Sequence, residues 1–241
     1  MSNEIEVKKP SYLSNINPLD SECPVQQEDI RVASLVIAHP AGKALIEGDA
    51  AYIVGLKAGQ IYNSSSREVY GKTIRLQFIH YFKMFNVFKG TAASPEWVEA
   101  LSETEFLKLP NREFRDVGVM TPAKPDCFIK ETWRFVVNVS ADTTTDFMFL
   151  NFKPGGITDA KMWANSMYEA FKKGEDVKTI EWELTTYNKP SKTANASSWQ
   201  IDGQNIKRVG YVDEARYNKA VSVYNDIKKS QASLMGDHQE Y

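Results

Sequence analysis

Cysteine is almost missing from this chain. Cys23 and Cys127 stand far apart in 241 residues, which excludes a disulfide framework and fits a reducing compartment. Histidine is equally sparse: His39, His80 and His238 are scattered. With no C-x-x-C and no H-x-x-x-H, no zinc site is spelled out. Neither sign of charge prevails, since 29 basic side chains face 31 acidic ones for a net charge of −2. That balance gives no global pull toward nucleic acid or membrane, so any anion binding must come from a local patch. No apolar run approaches the ~20 residues of a membrane helix. The opening M-S-N-E-I-E-V-K-K-P lacks a signal peptide's apolar stretch, so the expected location is cytoplasmic.

Catalytic signatures are missing too. There is no G-x-x-x-x-G-K-[ST], no G-x-S-x-G and no cysteine–histidine pair. Asp142 and Asp146 flank a threonine run and can be read as a magnesium pair, but spacing places no third ligand. K-P-G-G-I-T (153–158) is a glycine turn entering a helix, with phosphate contact as its functional reading. The expectation is a protein that is not an enzyme and has no cofactor. Three N-x-S sequons, at Asn63, Asn138 and Asn195, read as turns.

What is present is an ordinary globular composition, 42% hydrophobic and 25% charged, able to form a core without staples. Residues 1–29 are polar, with Pro10, Pro18 and Pro24, and read as a flexible arm. Residues 30–241 read as a single globular domain. Asn63-Ser64-Ser65-Ser66 is a turn between short strands, because these side chains bond their own backbone. Thr73 to Lys89 reads as one long strand. In 92–115, Ser94-Pro95 fits a helix start, Trp97, Val98 and Leu101 an apolar stripe, and Ser102 to Glu105 a capping box, so a helical insertion is expected. Strands follow at 128–139 and 143–152. Thr158 to Lys173 is the clearest helix, with Thr158 as cap and Trp163, Met167, Tyr168 and Phe171 on one face. A strand at 177–187, a polar loop at 188–198, a strand or hairpin after Trp199 and a C-terminal helix at 213–234 complete the order. This predicts an α+β fold: a mainly antiparallel sheet or partly closed OB-like barrel with a helical insertion and a C-terminal helix.

The segment T-I-R-L-Q-F-I-H-Y-F-K-M-F-N-V-F-K (73–89) makes the sharpest functional claim. Phe78, His80, Tyr81, Phe82, Phe85 and Phe88 are interleaved with Arg75, Lys83 and Lys89. Rings stack on bases and cations neutralise phosphates, so this is the composition of a single-strand platform. It is equally the composition of an aromatic core strand. Strict alternation separates Arg75 and Gln77 from His80 unless a bulge shifts the register.

The succession A-G-Q-I-Y-N (58–63), E-V-Y-G (68–71), R-L-Q-F-I-H-Y-F-K-M-F (75–85), M-F-L-N-F (148–152) and W-E-L-T-T (182–186) resembles the tailed-phage single-stranded DNA-binding protein family over roughly residues 55–230. The chain departs from that pattern at Phe88, where tryptophan is usual, at 92–115, and in its weakly acidic end D-H-Q-E-Y. The resemblance implies sequence-tolerant single-stranded DNA binding in phage replication or recombination, with RNA as the other polynucleotide and phage replication proteins as partners. Arg75, His80, Phe82 and Lys83 are then expected on the binding sheet. Trp133, Arg134 and Trp199 are flanking stackers, Lys130 and Lys192 phosphate contacts, and Arg67 and Lys72 supporting cations. The competing expectation is a structural or protein–protein interaction module, virion-associated or accessory, which the near-neutral charge favours.

Overall fold

A computed structural model describes residues 33–91, 94–142, 145–190 and 197–236. The expected N-terminal arm, Cys23, Lys192 and His238 lie outside them. The elements are β1 (Ser34–Ile37), β2 (Ile61–Asn63), β3 (Val69–Gly71), β4 (Thr73–Thr91), β5 (Ser94–Ser102), α1 (Glu103–Lys108), β6 (Glu113–Arg115), β7 (Gly118–Met120), β8 (Cys127–Val139), β9 (Met148–Phe152), α2 (Ile157–Lys172), β10 (Ile180–Pro190), β11 (Ser197–Ile201), β12 (Lys207–Tyr211) and α3 (Glu214–Gly236).

The fold is α+β, with a mostly antiparallel, mixed sheet ordered β11-β10-β4-β8-β9-β1-β2-β3. β1 runs parallel to β9; β5 and β12 flank β4 and β10, and β6–β7 continue from β8. The sheet does not close into a barrel. Its two ends approach through side chains instead: Thr186 Oγ1 on β10 donates to the Gly59 carbonyl at 2.6 Å, and Trp199 on β11 packs on Gly59.

The spine is the antiparallel β4–β8 pair, matched from Leu76–Val139 to Lys89–Cys127. β-Branched and aromatic residues on both strands suit a pleated, buried surface. On one face α2 packs its Ala160, Trp163, Met167 and Ala170 stripe against Phe78, Phe135 and Leu150. Trp163 stacks on Phe135 at 4.7 Å and 14°. Each such ring stabilises the core by about 2–3 kcal/mol through area removed from water. Tyr168 and Phe171, expected on that stripe, are exposed instead. They sit one position off the arc that Trp163 and Met167 define. Thr158 is inside the helix, and Gly156 holds the N-cap position.

The helical insertion expected at 92–115 needs correction. Ser94 to Ser102 is a strand paired along β4 from Thr91–Ser94 to Met84–Ser102. Pro95 sits at an edge strand's beginning, where its missing N–H costs no ladder bond. The capping box is real but starts only the six-residue α1: Ser102 Oγ accepts from Glu105 N, and the Glu105 carboxylate accepts from Ser102 N. A small second core of Phe85, Val87, Leu101, Phe106 and Ile129 supports this end. The expected serine turn is present, with Asn63 Oδ1 accepting from the backbone N–H groups of Ser65 and Ser66.

Candidate functional site

β4 carries a bulge at Ile79. Phe78 pairs with Val137 and His80 with Val136, leaving Ile79 without a partner of its own. An extra residue shifts the parity of everything after it. Ile74, Leu76 and Phe78 face α2, and after the bulge Tyr81, Lys83 and Phe85 do as well. Arg75, Gln77 and Ile79 face α3, followed by His80, Phe82, Met84, Asn86 and Phe88. The register shift that brings Arg75, Gln77 and His80 onto one surface is therefore present.

This parity divides the sequence-derived candidates. His80 and Phe82 lie on the α3 face with Lys130 and Arg134 of β8, since Phe82 pairs with Arg134 and Asn86 with Lys130. Arg75 shares the face, where its Nε donates to Glu183 Oε2 at 3.1 Å. Lys83 and Trp133 are on the opposite face. There Lys83 Nζ meets Glu103 at 2.6 Å and lies 5.5 Å from the Trp133 centroid. Trp133 is buried, stacks with Tyr81 at 5.5 Å and donates its indole N–H to Glu131 at 2.6 Å. Arg67 is in the left-handed region at φ 63 and donates to the Ala50 carbonyl. Lys72 and Trp199 meet elsewhere, with the ammonium 4.4 Å from the indole centroid. Lys192 is outside the described residues.

α3 covers one end of its face. Ala220 is buried against Ile79 and Val136, with Val223, Tyr224 and Ile227 beside Phe82, Phe147 and Phe149. Its first turns are tied to the sheet: Arg216 donates to Glu181, Ser140 and Asn138, and Lys219 meets Asp146 at 2.6 Å. His80 packs edge-on to Tyr224 at 5.6 Å and 76°. Burial, then Lys228 and Lys178, push its pKa below the usual 6.5. At neutral pH His80 is therefore a ring and not a cation.

From the edge of α3 outward, starting at Phe82 and Phe149 beside it, rings and cations alternate along β4, β8 and their neighbours. Phe82 meets Phe149 edge-to-face at 6.2 Å. The Arg134 guanidinium lies 4.7 Å from the Phe149 centroid, and its Nε donates to Asn151 Oδ1 at 2.8 Å. Phe88 stacks with Phe128 at 5.7 Å, and Lys130 Nζ lies 5.0 Å from the Phe128 centroid. Phe88 also pairs with Trp97 across β5, where a second bulge lies between Val87 and Phe88. Cross-strand partners share a face, so Trp97, 58% exposed, extends this row. From Phe82 to Phe88 the strip runs about 20 Å.

Arg134 is the distinctive member. It is half-buried, and desolvation lowers its pKa from the ordinary value. Among the described residues no carboxylate makes an ion pair with it or with Lys130, whereas Lys83 on the reverse face is neutralised by Glu103. A partly desolvated guanidinium without a counter-ion favours an incoming anion with planar oxygens. Trp97, Phe128, Phe149 and Asn151 were not read from sequence as site residues. Alternation in M-F-L-N-F carried a signal for two of them, since Met148, Leu150 and Phe152 are buried and Phe149 and Asn151 take the other parity.

The two aspartates around the threonine run do other work. Asp142 accepts from Thr145 N and the Tyr70 hydroxyl, and Asp146 pairs with Lys219. Among the described residues no three His, Cys, Asp or Glu side chains converge as a metal site, and no helix is long and apolar enough to cross a membrane. The chain belongs to the family described as Pam3 phage gp34-like protein, which matches residues 2–233. No curated protein and no solved structure matches it. The phage kinship expected from the sequence thus holds at the level of a phage protein family, and the family's description carries no activity.

Proposed function

We propose that this chain is a non-enzymatic, sequence-tolerant single-stranded DNA-binding protein of phage replication or recombination, working in the host cytoplasm. The strand lies along the open half of the α3 face. Its phosphates meet Arg134 and Lys130, and its bases stack over Phe82, Phe88, Phe149 and Trp97. The observation that carries the reading is Arg134: half-buried, held by Asn151 and set over Phe149, with no carboxylate partner among the described residues. Stacking contributes roughly 1–3 kcal/mol per base and tolerates any sequence. Photocrosslinking of oligo-dT to the full chain, followed by peptide mapping, tests the placement. Adducts in the β4, β5 and β9 peptides are expected. Adducts confined to α2, which exposes Tyr168 and Phe171, contradict it.

A second reading, a structural or interaction protein, is favoured by the far end of the β4–β8 pair. Phe114 is 78% exposed there and Leu107 59%. Exposed apolar groups of this size mark contact surfaces. Sedimentation of the chain and of Phe114→Glu distinguishes them: an assembly dissolved by that change supports the second reading.

A further inference from the structure

β1 and β9 pair at Ser34–Phe149 and Leu35–Leu150 and not beyond. β1 then stays with β2 as far as Ile37–Ile61, while β9 stays with β8 to Phe152. The two parallel strands separate at their carboxyl ends, the place where open sheets hold ligands. A cleft of about 480 Å³ opens there, within the range of small-molecule sites. Leu35, Leu150, Phe152 and Ile201 give it an apolar floor, and Trp199 and Gln200 of β11 line it too.

Its charge is one-sided. Lys153 is the cation of the lining, His39 is a neutral ring at neutral pH, and among the described residues no carboxylate belongs to it. Lys72 stands on the Trp199 ring. Burial, and after it Lys153, lowers the His39 pKa. Asp159 lies outside the lining, held by Gly203 N at 3.1 Å and facing Lys189 at 4.0 Å. The indole is fixed as well: a Cβ on Gly59, itself at φ +83, would fall 2.4 Å from its ring. Asn151, on the β9 rim, accepts from Arg134. The cleft therefore begins where the aromatic strip ends.

We propose that this cleft is a binding pocket for one nucleotide, with the base between the apolar floor and the Trp199 wall and the phosphate at Lys153 and His39. The proposal deepens the single-strand reading and rests on it in one respect: the Arg134–Asn151 contact makes the pocket the terminal seat of a bound strand. A free nucleoside monophosphate offers the same chemistry, and the experiment separates the two sources.

Calorimetric titration of the full chain with dAMP, with inorganic phosphate and with oligo-dT tests it, using wild type, Lys153→Glu and Arg134→Ala. Lys153 is exposed, so its reversal leaves the fold intact. Saturable dAMP binding is expected, about tenfold or more tighter than phosphate alone because the base buries apolar area. Lys153→Glu weakens dAMP by about tenfold or more, and Arg134→Ala weakens the oligonucleotide while leaving dAMP unchanged. Competition between dAMP and the oligonucleotide identifies the pocket as a seat for the strand. If dAMP binds as described but the oligonucleotide does not, the pocket stands as a mononucleotide site and the single-strand reading falls. If the oligonucleotide binds wild type and Lys153→Glu alike and dAMP does not bind, the pocket is overturned and the strip survives. Equal dAMP affinity in wild type and Lys153→Glu also overturns the pocket, and binding of neither ligand overturns both.

Discussion

The antiparallel β4–β8 pair shows two faces made from the same strands and nearly the same residue types, yet they are put to different uses. Toward α2, Phe78, Phe135 and Trp163 interlock, and the one lysine among the rings, Lys83, is matched by Glu103. Toward α3, packing stops partway. Phe82, Phe88 and Phe149 are half-buried, Trp97 is exposed, and Arg134 and Lys130 lie over rings without carboxylate partners among the described residues. Composition does not separate core from interface here. What separates them is whether a cation finds an acid and whether a ring finds a roof.

The comparison breaks most visibly under truncation of the closed face. Phe135→Ala removes a fully buried ring that contacts Trp163, Phe78 and Phe152. A loss of about 3–5 kcal/mol in chemical denaturation is expected, with oligonucleotide affinity per folded molecule unchanged. Phe149→Ala on the open face should do the reverse: oligonucleotide affinity falls by roughly 1–3 kcal/mol while the denaturation midpoint moves less than for Phe135→Ala. Comparable stability losses at both positions would erase the distinction between the faces.

Charge sharpens the same contrast. Removing Lys130 and Arg134 together should flatten the dependence of log K on log salt by about 1.4, two phosphate contacts at roughly 0.7 each on a single strand. Lys83→Ala should leave the slope alone and cost no more than about 1 kcal/mol of stability, as a partly exposed pair does.

The smallest effect concerns pH. His80 takes up a proton at about 6.5 when unfolded and at a lower pH when folded, because burial and then Lys228 and Lys178 oppose its charge. The unfolded chain therefore binds more protons in that window, and stability rises with pH across it. Stability should be complete above 6.5 and decline as pH falls toward the folded value. His39, shifted the same way by burial and Lys153, adds to the decline. His80→Gln should shrink the decline measured by thermal unfolding at pH 7.5 and 5.5; an unchanged decline would remove His80 from the account.

Much of this architecture was legible in the chain. Alternation and β-branching marked β4, β8 and β10, apolar spacing marked α2 and α3, and the serine turn announced itself by side-chain chemistry. The 92–115 segment was misread because Ser94-Pro95 satisfies the start rules of a helix and of an edge strand alike. Tertiary pairing with β4 decided between them. The site was half legible for a related reason. Arg75, His80, Phe82, Lys130 and Arg134 share a face only because of a one-residue bulge at Ile79, and no local signal places that bulge. Lys83 and Trp133 fell to the other face by the same parity. Phe149 reaches the strip from a strand distant in sequence, which a linear reading cannot bring together, and Trp97 reaches it from the neighbouring segment that was expected to be helical.

Fluorescence anisotropy with labelled single- and double-stranded oligonucleotides at low salt, for wild type and Arg134→Ala, bears most directly on the proposed interface. Saturable binding that prefers the single strand, weakens as salt rises and drops about tenfold or more without the guanidinium is the predicted result. A flat titration of the single strand, or full affinity in Arg134→Ala, would contradict it.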